Sequence, residues 1–427
     1  MKLSKISAVL APASALFLAG LAASHAAAGA PSPTATAHVT IDAAAGASAK
    51  PSAAAHRPAA AAPPLGEFRL DPARGRYVAP FGSGRAVLTL DPRLQARLER
   101  TLQNYAVPWG ATVLLEPATG KVLAMAEHSQ AEPGRRGLAL SAFAPAASIF
   151  KIVTTAALLE QGIRPDDEVC YHGGRSRLQP ALLSDDPRRD RSCTTLERAF
   201  GHSTNVVFAK LADRGLDAAL LRAEAKRFLF NESIPFARAV DVSKADIAEA
   251  GFPLANTAAG FGPVRLSPLH GALLAAIVAN GGVFVPPVIV DEAEGVATPA
   301  PAAPWRVVDE AVAGALGEMM RGTCSDGTGR RAFRGARGPL RGVVVAGKTG
   351  SLADRPPLPH RDYSWFVGYA PANHPEVAVA TVIANGPVWR VHAPQVARDA
   401  LEAYFATRVA EAAPVAAGLR TAKAPAP

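Results

Sequence analysis

The 427-residue chain carries 45 Lys and Arg against 36 Asp and Glu, a formal charge of +9, and 49% of its residues are hydrophobic. The arginines are scattered through loops such as Arg188-Arg189-Asp190-Arg191 with no aromatic residues between them, which argues against a nucleic-acid partner and for a solvated surface. Neither a Cys-x-x-Cys pair nor a His-x-x-x-His helix occurs, so no metal site and no cofactor are expected.

The chain opens with Met1-Lys2-Leu3-Ser4-Lys5 and an apolar stretch from Ile6 to Ala23, so residues 1–26 read as a signal peptide or membrane anchor. Pro12 and the marginal length favour cleavage; a retained segment would tie the chain to the inner membrane. Residues 27–64 are rich in Ala and Pro and read as a disordered linker, and residues 411–427 as a disordered tail. The folded part is expected at 65–410, enough for one large domain or two lobes around a shared core. The expected location is the periplasm or cell envelope. There, Cys170 and Cys193 bracket a loop-rich insertion and are expected to form a disulfide, with Cys324 left over.

Within the folded part, Ala111–Leu115 and Lys121–Met125 read as a β-hairpin. A strongly apolar helix is expected from Ser148 to the stop at Gly162, with Ser148 in its first turn. Helical patterns follow at Thr195–Phe200, Val206–Arg214 and Leu269–Ala279. Strands are expected at Gly342–Ala346, Ser364–Tyr369 and Val377–Ile383, and a last helix at about 394–407. Strands early and late with a helical middle imply an α/β (α+β) fold: an antiparallel sheet built from both chain ends, flanked by helices, with a mostly helical second lobe.

Three short patterns carry chemistry. Ser148 precedes Lys151 by three residues, a spacing that puts both side chains on one helix face, as a nucleophile and its base require. The lysine lies in an otherwise apolar helix, where its charge is costly unless its pKa falls or it gains partners. Ser203-Thr204-Asn205 sits between two predicted helices; its serine would relay a proton and Asn205 would hold a substrate amide or the lysine. Lys348-Thr349-Gly350-Ser351 follows a run of β-branched residues. Lys348 would add a like charge that lowers the pKa of Lys151, Thr349 and Ser351 offer hydroxyls to a carboxylate, and Gly350 lets a substrate backbone lie along the strand edge. The same segment, Gly342 to Thr349, fits a phosphate-binding loop in letters only, since a strand and not a flexible cradle precedes the lysine. His202 has no nucleophile elbow beside it, and His270 lies on an apolar helix; both read as structural.

Ser-x-x-Lys, Ser-x-Asn and Lys-Thr-Gly in this order resemble the transpeptidase domain of penicillin-binding proteins, in the serine β-lactamase and D,D-peptidase superfamily. The resemblance runs from about Val87 to Phe405 and includes Gly260-Phe261-Gly262, Ala279-Asn280-Gly281-Gly282 and Trp365-Phe366-Val367-Gly368-Tyr369. It departs from the family at Pro145-Ala146-Ala147, in place of Pro-Gly, and at Phe261, in place of Gln. It includes no glycosyltransferase domain and leaves Leu65 to Ala86 as a stub in place of a long N-terminal domain.

The resemblance implies a serine D,D-transpeptidase or D,D-carboxypeptidase acting on D-Ala-D-Ala stem peptides of peptidoglycan through an acyl-enzyme on Ser148, and binding β-lactam antibiotics. Lys151 would be the base, Ser203 and Asn205 the shuttle and holder, and Lys348, Thr349, Gly350 and Ser351 the carboxylate site. The backbone amides of Ser148 and Ser351 would form the oxyanion hole. A serine β-lactamase and a non-turnover sensor of β-lactams or muropeptides are the alternatives. For the former, Glu232 is the nearest water-activating candidate.

Overall fold

The computed structural model describes residues 63–174, 177–297, 302–354 and 358–421, the last eleven by backbone alone. The segment read as signal or anchor, and the linker up to residue 62, lie outside the described residues. Among the described residues no helix is long and apolar enough to cross a membrane.

A five-stranded antiparallel sheet organises the chain. Its strands are β1 (Trp109–Leu115), β2 (Val122–His128), β3 (Ala346–Ala353), β4 (Asp362–Ala370) and β5 (Val377–Asn385), in the spatial order β3-β4-β5-β1-β2. Early and late segments therefore share one sheet. All nine residues of β5 are buried. Ala378, Ala380 and Val382 face a layer containing Leu273 and Ile277, while Val379 and Ile383 face another containing Leu98 and Leu401, as the two-residue period of a strand requires. Thr112 and Thr381 are paired across β1 and β5 with their Oγ1 atoms 3.0 Å apart, so two buried hydroxyls satisfy each other.

The surrounding helices are α1 (Pro92–Asn104), α2 (Lys151–Glu160), α3 (Leu196–His202), α4 (Asn205–Gly215), α5 (Pro268–Ala279), α6 (Glu310–Ser325) and α7 (Ala393–Thr421). Asp91 starts α1 by accepting from the amides of Arg93 and Leu94, and Pro92 fills the first helical position. Leu94, Leu98 and Leu102 then point at the sheet. Helix α5 is apolar all round and buried from Pro268 to Val278, as a core helix must be. Gly271 sets its approach to the sheet: a Cβ there would meet Ala380 Cβ and Val367 Cγ2 at 3.2 Å.

Leu65–Ala86, expected as a stub, contributes to a second sheet in which Arg69–Asp71 pairs with Arg76–Phe81, that strand with Gly84–Leu88, and Gly84–Leu88 with Val290–Glu294. In the insertion, Glu168–Tyr171 pairs with Ser192–Thr195; Cys170 stands opposite Cys193 and is bonded to it. Cys324 is buried and free, and burial pushes its thiol pKa up.

Three boundaries differ from expectation. The helix at Ser148 begins as a 3-10 turn, Ala147–Phe150, before α2 proper. Strand β3 begins at Ala346, not Gly342: Gly342 adopts φ +78° and Val344 is 46% exposed, so the valines precede the strand and Lys348 to Ser351 lie within it. Pairing with β4 over eight residues overrides the weak strand preference of Gly and Lys there. Helix α7 continues to Thr421, through most of the segment read as a disordered tail; alanine, which dominates that segment, is the strongest helix former.

Candidate active site

Ser148 sits in the 3-10 turn that leads into α2, and the turn depends on an unusual residue before it. Ala147 adopts φ +49°, a left-handed conformation costing about 1–2 kcal/mol for a residue with a Cβ. Gly260 lies directly behind, at φ +94°; a Cβ on it would come within 2.6 Å of Ala147 O and 3.0 Å of Ser148 N. Gly260 thus packs against the Ala147–Ser148 backbone where no side chain fits. On the other side, Trp365 Nε1 on β4 donates to Pro145 O at 2.8 Å. Gly350 brings the edge strand β3 against the turn, since a Cβ there would lie 3.2 Å from Ile149 Cγ1.

One turn into the helix, Lys151 is fully buried. Its Nζ lies 3.1 Å from Ser148 Oγ, 3.1 Å from Ser203 Oγ and 3.3 Å from Ser203 O, and it also bonds Asn205 Oδ1. Ser203 closes α3 in the left-handed conformation, φ +56°, and Asn205 opens α4 two residues later. This sharp reversal turns both side chains toward the lysine. Lys348 Nζ, also fully buried, approaches from β3 and donates to Ser203 Oγ and Thr349 O, each at 3.0 Å. The Ser203 hydroxyl therefore bridges two lysines.

The electrostatics favour a neutral Lys151. Burial, and then the charge of Lys348, hold its pKa well below the ordinary lysine value. Burial lowers Lys348 to about 7. A neutral amine has two N–H bonds and one lone pair. Ser203 O and Asn205 Oδ1 can only accept, so they take the N–H bonds, and the lone pair is left for the hydroxyl of Ser148 or Ser203. This is the hydrogen-bond pattern of a base shared by two hydroxyls.

These groups open onto a cleft of about 660 Å³, whose lining includes Ser148, Ser203, Asn205, Thr349, Gly350 and Ser351. All the residues named from the motifs thus come together, with Lys151 and Lys348 immediately behind the surface. The motifs did not point to Thr328, Arg331 or His392, which line the same cleft. Thr328-Gly329 follows α6 without any recognisable pattern, and only its contact with Thr349 gives it away.

No carboxylate lines the cleft among the described residues. Glu232 instead pairs with Lys226 at 3.4 Å on the surface. His202 is half exposed beside Asp326, at 3.2 Å. His270 is buried with Nε2 2.7 Å from Phe228 O, and burial lowers its pKa to about 4, so it is a neutral core residue.

The penicillin binding protein transpeptidase domain model matches residues 110–402. The chain is 30% identical over 359 residues to the peptidoglycan D,D-transpeptidase PbpA of Mycobacterium tuberculosis, covering 73% of this chain and 71% of that one. It is similar to the crystal structure of PBPA from M. tuberculosis, with a TM-score of 0.60, 28% identity, and coverage of 74% of this chain and 81% of that one. The penicillin G acyl-enzyme complex of the same M. tuberculosis protein gives a TM-score of 0.60 and 27% identity, covering 76% of this chain and 81% of that one.

Proposed function

The chain belongs to the penicillin-binding protein transpeptidase family, and on that premise we propose that it is a serine D,D-transpeptidase acting on peptidoglycan stem peptides through an acyl-enzyme on Ser148. The observation that carries this reading is the buried Lys151 amine held between the hydroxyls of Ser148 and Ser203. Peptidoglycan is a cell-envelope polymer, so the envelope is the site of action, with residues 1–26 as the export signal or anchor.

Each motif residue has a part in the reaction. The Ser148 hydroxyl proton passes to Lys151 Nζ as Oγ attacks the carbonyl carbon of the penultimate D-alanine. The backbone amides of Ser148 and Ser351 receive the oxyanion, each such donor contributing about 3 kcal/mol to the barrier reduction. The C–N bond to the terminal D-alanine breaks, and its nitrogen takes the proton from Lys151 by way of Ser203. An acceptor amine then attacks the acyl carbonyl, its proton returns along the same route, and Ser148 Oγ–H is restored. Thr349 and Ser351 on the exposed edge of β3 hold the substrate carboxylate, and Gly350 leaves the edge clear for a substrate backbone to add as a strand. Among the described residues no carboxylate lines the cleft to act as the water-activating base of a class A β-lactamase.

Labelling with a fluorescent penicillin tests the reading. The wild type is expected to retain the label for minutes or longer and Ser148→Ala to take none. Release within seconds would favour a β-lactamase, and an unlabelled wild type would remove the assignment. Incubation with pentapeptide-containing peptidoglycan then separates cross-linked dimers, the expected product, from trimmed tetrapeptides.

A further inference from the structure

Residues 327–353, from just after α6 through β3, contain no Asp or Glu, yet five arginines fall within 330–341. Arg330, Arg331, Arg334, Arg337 and Arg341 are all exposed. On the second sheet, by contrast, Arg74 and Arg85 meet Glu294 and Arg76 meets Asp291. Two acids beside the basic segment are already engaged, Asp326 with Arg198 and His202, and Glu318 with Arg321. Arg334 borders a groove with Glu197 and Glu318 but pairs with neither. Among the described residues none of the five forms an ion pair.

The backbone that carries them is fixed. Arg398 on α7 donates to Ala332 O at 3.4 Å, the Phe333 ring packs on Phe366 of β4 with centroids 4.9 Å apart, and Leu340 is fully buried in the layer that holds Leu401. Ala372 N donates to Val344 O at 2.8 Å. A ligand therefore has only side chains to order, which keeps the entropic cost of binding low.

Arg331 lines the catalytic cleft, while the other four stand outside its lining. A ligand that reaches those four with its reacting end in the cleft must be long, and it must be anionic, since guanidinium groups match the two oxygens of a carboxylate. Peptidoglycan meets both conditions. Each stem peptide that has not been cross-linked ends in a carboxylate, so a strand bearing several stems is a polyanion. A bilayer fits less well, because Phe333 and Leu340, the bulkiest apolar residues of 330–341, pack inward and leave mainly charge on offer.

We propose that Arg330, Arg334, Arg337 and Arg341 form a docking track for the peptidoglycan strand and hold the carboxylate-ended stems that neighbour the one in the cleft. The proposal rests on the D,D-transpeptidase reading and adds a polymer-binding surface to it.

The test mixes the full-length chain with purified pentapeptide-containing peptidoglycan and measures binding by co-sedimentation, with acylation by benzylpenicillin as the check on folding and on the cleft. The fourfold variant Arg330→Gln, Arg334→Gln, Arg337→Gln, Arg341→Gln should bind the polymer about 10- to 30-fold more weakly in about 0.1 M salt, the sum of several weak exposed ion pairs. The deficit should vanish in about 1 M salt, where the screening length is about 3 Å. Acylation should match the wild type. Arg69, Arg93, Arg97 and Arg100, also exposed, supply a control of equal charge, and their replacement by Gln should leave binding unchanged. Glycan strands stripped of their stems by an amidase should bind wild type and track variant alike. A track variant that binds peptidoglycan as the wild type does, an equal loss in the control, or a deficit that persists in high salt or toward stem-free strands overturns the proposal. So does a loss confined to phosphatidylglycerol vesicles, which would place a membrane on the segment. A wild type that takes no penicillin instead overturns the D,D-transpeptidase reading.

Discussion

Two helices of the same lobe each bury a lysine completely, and their surroundings differ in one respect. Lys210 on α4 meets Asp190 at 2.6 Å and Asp185 at 3.0 Å and donates to Cys170 O at 3.2 Å, in the insertion closed by the Cys170–Cys193 bond. Lys151 on α2 meets hydroxyl and carbonyl oxygens and the Phe208 ring, 5.1 Å from its centroid, and has no carboxylate partner among the described residues, with the like charge of Lys348 beyond. Burial penalises the charged amine in both places, but only the first supplies compensating anions. At Asp190, burial pushes the carboxyl pKa up, yet Lys210 and His172 outweigh it and hold the pKa at about 2. The difference separates a lysine that fastens a loop to a helix from one whose amine is held below its ordinary pKa, as the proposed proton exchange requires.

Exchanging the charges at each site tests that division. Lys151→Met should slow acylation by benzylpenicillin by about 10³- to 10⁴-fold, the scale of losing the base that activates a nucleophile. Its melting temperature should change little, because relief of the buried amine's desolvation offsets the loss of its hydrogen bonds to Ser203 and Asn205. Asp190→Asn should do the reverse. It leaves Lys210 without its closest anion and should cost about 3–5 kcal/mol in urea unfolding, while the acylation rate of the folded fraction stays within about threefold. If Asp190→Asn abolished acylation without loss of stability, the division would collapse.

Lys348→Met should have the smallest effect, a fall of about 10- to 100-fold in acylation rate, together with a shift in pH profile. Lys151 must be neutral to act, so the rate rises with pH through its lowered pKa. Removing the Lys348 charge takes away a cause of that lowering, and the acidic limb should move to higher pH. Rates measured between pH 5 and 9 would reveal it, and an unmoved limb would mean that burial alone sets the base.

The meeting of Ser148 with Lys151 was legible because a three-residue spacing on a helix fixes which side chains meet, whatever else the chain does. The hairpin and the late strands were legible from apolar runs. The start of β3 was not: three valines outweigh Lys-Thr-Gly-Ser on propensity, and only the register Gly350 to Trp365 against β4 shows where the strand lies. The second sheet was hidden for a related reason, since Gly84–Leu88 finds its partner at Val290–Glu294, far along the chain. Thr328 and Arg331 carried no motif at all.

By itself the sequence determined the three motifs, their order and the helical pairing of Ser148 with Lys151, because these depend on local geometry. Tertiary structure decided that one Ser203 hydroxyl would bridge Lys151 and Lys348, and that Thr328 would meet Thr349 across the cleft wall. Those juxtapositions join segments that no periodicity relates. They follow from how α3, α6 and the edge strand pack together, and only that packing removes the water that would otherwise keep Lys151 charged.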